Sequence, residues 1–405
     1  MNELLRSILA SAATKWSAVV TLRRENVNTV KTWIEREVAE TLEEFEVPDL
    51  DWAEVEGIVS QRPRLMSLLW QENLRPVLQN PFLLNLLADA RMLPDSQYSP
   101  AISTEVEVCA VWWENVVGLR FEDQERGLER QQALLAMGER DLKAPGRPVT
   151  VRSLPARAIA SLEQDAIVSR ERDLDALSFK HDLLEEWTLF RALNQLDNES
   201  LVALLRGDEP FGVLRSLQML GASLLEKGDI NAWESLVERL EGEEELPDRW
   251  KRAVLTAPLI STRVGELMPK IEKFLLQNNG QRLNDLLRAL RTVHVRPDPR
   301  FLSYQQTPTQ GDLTLMNRPI PSGHTWRLLL GWLVARAASW PESVRPEAAK
   351  IMEMWQTYSP PGVVHRAQIA EVARVWLDPL EEWDEALPED LYSLERVAGE
   401  ASGDA

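Results

Sequence analysis

Apolar residues recur at spacings of three and four through most of this sequence, and this period is what most constrains its fold. Between residues 51 and about 90 the repeat begins with Trp52, Val55, Ile58 and Val59. From about residue 198 onward, short amphipathic segments alternate with breaks at 207–210, 242–247, Pro258, Pro269, 278–280 and Pro341. The pattern predicts a mainly α protein whose C-terminal half is a strand-free stack of helical hairpins.

The first 48 residues read differently. Residues 17–22 form a β-branched apolar run that ends at Arg23, and residues 44–47 alternate between polar and apolar side chains. Both runs are typical of short strands. Because they follow a single amphipathic helix, we expect them to be the tail of an α/β sheet and not a whole one.

Two helix starts are marked by capping residues. Asn80 is a favoured N-cap, and Pro81 after it suits the first helical position. The helix that follows would bury a stripe made of Phe82, Leu83, Leu86 and Leu87. Thr104 similarly precedes a helix whose tryptophan-bearing face must be buried.

A short β-hairpin is expected between residues 167 and 179. Residues 167–169 and 176–179 are strand-like, and the charged stretch 170–175 between them would form an exposed turn or wing. A helix from Asp182 to about Leu196 follows. Helices, a hairpin and a further helix in this order predict a winged-helix arrangement.

Charge and cysteine content exclude several classes of protein. The 405 residues include 64 acidic and 45 basic side chains, for a formal net charge of -19. This charge opposes both a phosphate backbone and anionic lipid, so we expect no nucleic-acid and no membrane partner. The single cysteine, Cys109, cannot form an internal disulfide, and no apolar run is long enough to span a bilayer. These features favour a cytoplasmic protein.

Familiar catalytic and metal-binding motifs are missing from the sequence. None of the 18 glycines is followed by lysine, which excludes a P-loop, and no Gly-x-Gly pair offers a dinucleotide site. The four histidines, His181, His294, His324 and His365, are far apart, so no local metal motif exists and we expect no metal site. Cys109 lies in an apolar helix, which predicts a buried, inert thiol.

Three segments, in order along the chain, carry a family resemblance. They are residues 19–23 (Val-Val-Thr-Leu-Arg), 80–88 (Asn-Pro-Phe-Leu-Leu-Asn-Leu-Leu-Ala) and 179–187 (Phe-Lys-His-Asp-Leu-Leu-Glu-Glu-Trp). Together they resemble the second half of a STAND-type signalling ATPase, the NACHT and NB-ARC relatives of the AAA+ class. The resemblance implies four parts: an α/β ATPase remnant with the sensor 1 strand (1–48), a small helical lid domain (49–103), a winged-helix domain (104–197) and a helical-repeat sensor (198–405).

The resemblance also implies a binding site for ATP or ADP. Arg23 would sense the terminal phosphate, Pro81 would pack against adenine, and His181 would contact the β-phosphate of ADP and hold the resting state. Each residue has a structural alternative as well. Arg23 can pair with a carboxylate at a sheet edge, Pro81 can simply start a helix, and His181 can precede a plain helix start with Asp182 as N-cap and Glu185 three residues later.

The chain departs from the family at its beginning. Family members carry a P-loop and a magnesium-binding acidic strand ahead of sensor 1, whereas Met1 lies only one helix before it here. The explanations are a truncated gene product, a companion chain that supplies the front half, or a degenerate module. In each case we expect this chain alone not to hydrolyse ATP.

Two functions from different classes follow. The first is the regulatory and sensor portion of a STAND-type ATP-binding signalling protein, in which nucleotide gates a protein interaction through the helical repeats; bacterial members of the family serve in signalling or phage defence. Its partners would include a P-loop-bearing chain or further copies of itself. The alternative is a nucleotide-independent helical-repeat interaction scaffold. Winged-helix DNA binding is a third reading, disfavoured by the acidic balance and by Glu185 and Glu186 after the wing.

Overall fold

The chain divides into two compact units, Met1–Asp49 and Leu50–Ala405. All that follows concerns the second unit and Asp49, because the computed structural model describes residues 49–93, 102–143, 149–150, 152, 154–171, 176–206, 212–297, 319–321, 323–358 and 365–377. Arg23 and the two strands expected in the first 48 residues lie outside this set. The described structure is mainly helical, as the period of the sequence predicts.

Five helices make up the first described segment. They are α1 (Trp52–Ser60), a 3-10 helix (Pro63–Trp70), α2 (Arg75–Gln79) and α3 (Pro81–Leu87), with a one-turn 3-10 helix (Glu72–Leu74) before α2. Asp51 begins α1 with a capping box, in which Glu54 accepts a hydrogen bond from the Asp51 N–H. Val55 and Val59 are buried as expected, whereas Ile58 is exposed. In the 3-10 helix, Leu65 and Leu68 are buried and Leu69 is half-buried.

The next segment contains α4 (Glu105–Val111), a π-helix (Trp112–Val117) and the long helix α5 (Gln124–Lys143). Thr104 caps α4 as predicted: its hydroxyl accepts from the Glu107 N–H at 3.2 Å, and the Glu107 carboxylate accepts from the Thr104 N–H. Trp112 and Trp113 are buried, which confirms the buried tryptophan face. The π-helix itself is not visible in the sequence pattern.

A three-stranded antiparallel sheet lies between helices. The elements are β1 (Val149–Thr150), α6 (Ala156–Gln164), β2 (Val168–Glu171), β3 (Ala176–Phe179) and α7 (Asp182–Leu193). The strand order is β1-β3-β2, and Val168 pairs with Phe179 while Val149 pairs with Leu177. The expected antiparallel pairing of β2 with β3 is confirmed. The expectation that the exposed turn begins at Arg170 is wrong, because Arg170 and Glu171 belong to β2 and pair with β3. Helix α7 packs against α5 on one side.

Six helices follow: α8 (Asn198–Leu205), α9 (Val213–Glu226), α10 (Ile230–Glu241), α11 (Asp248–Leu255), α12 (Val264–Leu275) and α13 (Gln277–Val293), with a 3-10 turn (Ala257–Ile260). Helix α9 packs against α7 and α11 and so joins the two halves of the unit. The expected break at Pro269 is wrong, because Pro269 lies inside α12. Apolar residues are buried on both sides of it, including Leu267 and Ile271, and their packing outweighs the lost hydrogen bond.

The expectation that strands end before residue 198 is also wrong. Strands β4 (Val295–Pro297) and β5 (Pro319–Pro321) pair antiparallel, and β5 contacts α15 (Arg345–Tyr358). Each strand has three residues and ends in proline, which lacks the N–H of a regular ladder, so no strand pattern marks them in the sequence. The remaining helices are α14 (Gly323–Ala335), a 3-10 turn (Ala337–Ser339) and α16 (Arg366–Leu377).

One hydrophobic core runs through the second unit, from Val55 to Trp376. Most tryptophans in the described part of the chain belong to it, and Trp326 is fully buried beside Leu329 and Leu330, as their spacing predicts. Trp70 is the exception, with 86% of its surface exposed. None of the helices among the described residues combines the length and the apolar character needed to cross a bilayer.

Candidate functional site

Pro81, one of the three candidate residues, begins α3. The side-chain oxygen of Asn80 accepts hydrogen bonds from the backbone N–H of Phe82 at 3.0 Å and of Leu83 at 3.1 Å, so the predicted cap is confirmed. Pro81 takes the first helical position, where a missing N–H costs nothing. Its side chain is exposed, Phe82 is half-buried and Leu83 is buried.

His181, the second described candidate, is itself the N-cap of α7. Its backbone is extended, and its Nδ1 accepts a hydrogen bond from the Leu183 N–H at 3.1 Å. The expectation that Asp182 caps this helix is therefore wrong, and Asp182 is instead its first residue. An imidazole nitrogen can accept only when it carries no proton, so the neutral ring here holds its proton on Nε2. The cap ties the orientation of the ring to the start of α7.

The two helix starts meet ring to ring. The centroids of Phe82 and His181 lie 3.6 Å apart with an angle of 19° between the ring planes. Such a stacked pair contributes about 1 kcal/mol beyond the area that it buries. We call Pro81, Phe82 and His181 the Phe82–His181 face. Through Phe82, the structure brings the start of α3 close to His181, although the two are far apart in sequence.

Charges of both signs surround this face. Lys180 is exposed, and the first turn of α7 carries the carboxylates of Asp182 and Glu185. These carboxylates stabilise the helix through its dipole, but they also lower the positive potential that a phosphate would meet. The proline and the aromatic ring suit a flat base.

A charge network holds the segment after α3 in place. The Oδ2 atom of Asp165 accepts hydrogen bonds from Arg91 and forms an ion pair with Arg130, both at 2.7 Å. Arg130 is 1% exposed and also donates to the Ser161 hydroxyl at 2.8 Å. The Asp89 carboxylate forms an ion pair with the Arg91 guanidinium, at 2.8 Å from its Nη2. The network therefore links the end of the α3 segment to α5 and to the end of α6.

The electrostatics of the network follow from burial and pairing. The hydrogen bond to the Asp89 carboxylate raises the pKa of Arg91. Burial alone would raise the pKa of Asp89, but the bonds from Arg91 outweigh it and lower that pKa. Burial lowers the pKa of Arg130, although Asp165 partly offsets the effect. Without its partner carboxylate, a buried guanidinium of this kind would be an uncompensated charge and would destabilise the fold.

A second cluster connects α7 to the helices that follow. Arg215 of α9 bonds the carboxylate of Glu105 and lies 3.6 Å from that of Glu186 in α7. Glu186 is buried, and the Trp187 indole N–H donates to Glu105 at 3.3 Å. The Ser216 hydroxyl donates to the Glu186 carbonyl at 2.8 Å. Helix α7, which starts at the Phe82–His181 face, is thus fixed to both α4 and α9.

The sequence matches no family model and no curated protein.

Two further groups, His294 and Cys109, have pKa values shifted by burial. Burial lowers the pKa of His294 to about 4 and raises the pKa of the Cys109 thiol to about 12. The prediction that the Cys109 thiol is buried is confirmed. In the part of the chain that the structure describes, no three His, Cys, Asp or Glu side chains are arranged to hold a metal ion.

The sequence indicates Pro81 and His181 at this face but does not indicate that Phe82 belongs to it. Phe82 was expected to belong to the buried stripe of α3, but its ring contacts His181, and Leu84 is buried in its helix instead. Leu86 is only half-buried. The available signal was the position of Phe82 directly after Pro81, since a residue at a helix start can face across to a neighbouring element. Nothing in the sequence links Arg91 to Asp165.

Proposed function

We propose that this chain is the regulatory and sensor portion of a STAND-type ATP-binding signalling protein in the cytoplasm. ATP or ADP would bind at the Phe82–His181 face and gate a protein interaction made by the C-terminal helices. The observation that carries the proposal is the stack of Phe82 on His181. Two of the residues that the resemblance assigns to the nucleotide belong to separate segments, and this contact joins those segments.

The arrangement around the face supports the same proposal. The β1-β3-β2 order, with the β2–β3 hairpin set between α6 and α7, is the pattern expected of a winged helix. The helices from α8 onward would then form the repeat-like sensor. Because Arg215 joins α7 to α4 and α9, a change at His181 has a continuous packed route to that sensor.

Pro81 and His181 would each contact a different part of the nucleotide. Pro81 would pack against the base, and the His181 ring would contact a phosphate oxygen. The nucleotide bound at this face would determine whether the chain is in its resting or its active state. A P-loop from a companion chain, or from further sequence of the same gene product, would supply the remaining phosphate contacts and any hydrolysis.

One observation favours the alternative, a nucleotide-independent helical scaffold. Asp182 and Glu185 place negative charge in the first turn of α7, where a phosphate would need positive charge. On this alternative, the Phe82–His181 stack only fixes two helices together, and changes at His181 leave every partner interaction intact.

The test begins with the coding DNA upstream of Met1 and with the adjacent genes. The proposal expects an in-frame Gly-x-x-x-x-Gly-Lys-Ser/Thr followed by an acidic strand. The product that carries it is then titrated with a fluorescent ADP analogue. His181→Asn keeps an N-cap but loses the imidazole, so ADP affinity should fall about tenfold, while loss of the stack with Phe82 should lower the melting temperature by no more than a few degrees. His365→Asn, at the start of α16, is the matched control.

Two results would favour the scaffold instead. One is that no P-loop exists in that frame or in neighbouring genes. The other is an ADP affinity that is equal in the wild type, His181→Asn and His365→Asn.

A further inference from the structure

The 3-10 helix Pro63–Trp70 has an unusual outer surface. A 3-10 helix has about three residues per turn, so every third side chain lies in one row. Leu65 and Leu68 form the buried row. The side chains of another row are all exposed, namely Arg64, Ser67 and Trp70, and Met66 is exposed beside this row. The helix therefore keeps two leucines in the core and presents a tryptophan and a methionine outward.

The exposure of Trp70 is large for its residue type. Its side chain is 86% exposed and Met66 is 42% exposed, whereas the other tryptophans among the described residues are buried or half-buried. Tryptophan is among the residues that most often contribute binding energy at protein interfaces. Methionine is flexible and adapts to apolar groups of different shapes. An exposed pair of this kind is a candidate docking surface.

The charge of this surface opposes the charge of the whole chain. Arg62 and Arg64 are both exposed, and residues 57–71 contain no Asp or Glu, although the chain carries a formal net charge of -19. The next acidic residue along the chain, Glu72, pairs with Arg327 at 3.2 Å. Within the part of the chain that the structure describes, no ion pair involves Arg62 or Arg64. The guanidinium groups are placed to attract carboxylates.

The size of the surface favours a short segment over a folded partner. Eight residues of 3-10 helix span about 16 Å, at about 2 Å per residue. An extended peptide covers that length with about five residues. A second copy would bring a whole chain with a formal net charge of -19 against this one, whereas a short acidic segment brings only the few carboxylates that face the two arginines. An anionic lipid surface would extend its negative charge over the rest of this acidic chain as well.

We infer that Arg62, Arg64, Met66 and Trp70, here called the Trp70 surface, bind an acidic linear segment of a partner protein. A bulky apolar side chain of the segment would pack on Trp70 and Met66, and flanking carboxylates would pair with the two arginines. This surface lies apart in sequence from the Phe82–His181 face and from the C-terminal helices. It requires no nucleotide, so it stands or fails independently of the function proposed above.

The test uses a displayed library of short random peptides, selected on the full chain after depletion on Trp70→Ser. Selected sequences should combine Asp or Glu with a Leu, Phe or Trp. The best synthetic peptide, measured by fluorescence anisotropy, should bind at least about tenfold more weakly to Trp70→Ser and to Arg64→Glu. Binding should also weaken as salt is raised. Phe121→Ser, which removes another exposed aromatic ring, is the matched control and should bind normally.

Several outcomes would overturn the inference. One is a selection that yields no sequence dependent on Trp70; another is a peptide that binds Trp70→Ser as well as the wild type. Self-association in sedimentation that Trp70→Ser abolishes would assign the surface to a second copy. Binding to phosphatidylserine vesicles that the same variant abolishes would assign it to a membrane. If Trp70→Ser lowers the melting temperature, Arg64→Glu alone decides between these results.

Discussion

Glu226, the last residue of α9, is a half-buried residue whose carboxylate contacts hydroxyl groups from two distant segments. Its oxygens accept hydrogen bonds from Thr104 at 2.8 Å and from Ser261 at 2.6 Å. Burial raises the pKa of Glu226; these hydroxyls and the charge of Arg263 lower it, and the charge of Glu107 adds to the rise. The side chain therefore joins α4, α9 and the loop before α12 while its charged form costs stability.

The raised pKa gives Glu226 a predictable effect on stability against pH. The folded state holds the proton more tightly than the unfolded state, so stability falls as pH rises from the unfolded value, near 4.5, through the raised folded value. Glu226→Gln should remove this part of the slope. Urea unfolding at a series of pH values measures it, with the exposed carboxylate variant Glu238→Gln as control. Parallel pH profiles for the wild type and Glu226→Gln would contradict the assignment.

At the scale of elements, the π-helix is held by side chains of α5. The Trp113 carbonyl accepts from the Gln131 amide at 2.9 Å, and the Val116 carbonyl accepts from Arg130 at 3.2 Å. Asn115 donates to the Met92 carbonyl at 3.1 Å. The Trp113 carbonyl also accepts from the Gly118 N–H at 2.9 Å, so the side chains of α5 add hydrogen bonds to carbonyls of the π-helix. The π-helix therefore depends on close contact with α5.

Gly127 in α5 permits that contact. A methyl group at Gly127 would lie 1.8 Å from the carbonyl oxygen of Gly118, which ends the π-helix. Backbone cannot yield as a flexible side chain can, so Gly127→Ala should lower the free energy of unfolding by about 3 kcal/mol. At Gly138 the nearest atom is 3.2 Å away, on Thr188, and Gly138→Ala should cost less than about 1 kcal/mol. Equal losses in urea unfolding would show that the Gly118 contact does not govern the packing.

At the scale of the whole molecule, the sequence predicts what depends on neighbouring residues. The caps at Asn80 and Thr104 and the β2–β3 hairpin follow from residues within a few positions. The pairing of Arg130 with Asp165 has no local signature, because it depends on how whole helices pack. The same holds for β4 with β5, whose residues show no strand pattern, and for the cap that His181 provides in place of Asp182.

The candidate site likewise has a part that local sequence predicts and a part that depends on helix packing. Pro81 and His181 are identified from short motifs, and each is found at a helix start. Their proximity could not be predicted, because the stack on Phe82 requires α3 and α7 to pack in one relative position. Residues such as Arg91 and Arg215 set that position through contacts with partners far along the chain.

These long-range contacts should make Leu50–Ala405 unfold as one unit, although we propose that its second half is a stack of helical repeats. Repeat stacks with only neighbour contacts unfold in parts. Here Thr262 bonds the Ser103 carbonyl and α9 packs on both α7 and α11, within one continuous core. Leu287→Ala, at a fully buried position of α13, should cost about 3 kcal/mol.

Hydrogen exchange followed by mass spectrometry measures how far that loss spreads. In a single cooperative unit, the slowest amides of α5 and α7 should exchange faster by about two orders of magnitude, as should those of α12 to α14, because all require the same global opening. Leu128→Ala, at an exposed position of α5, should change neither group. Faster exchange confined to α12 to α15 would instead show that the C-terminal helices open alone. The packing of α9 on α7 would then not be strong enough to carry a change from His181 to the rest of the molecule.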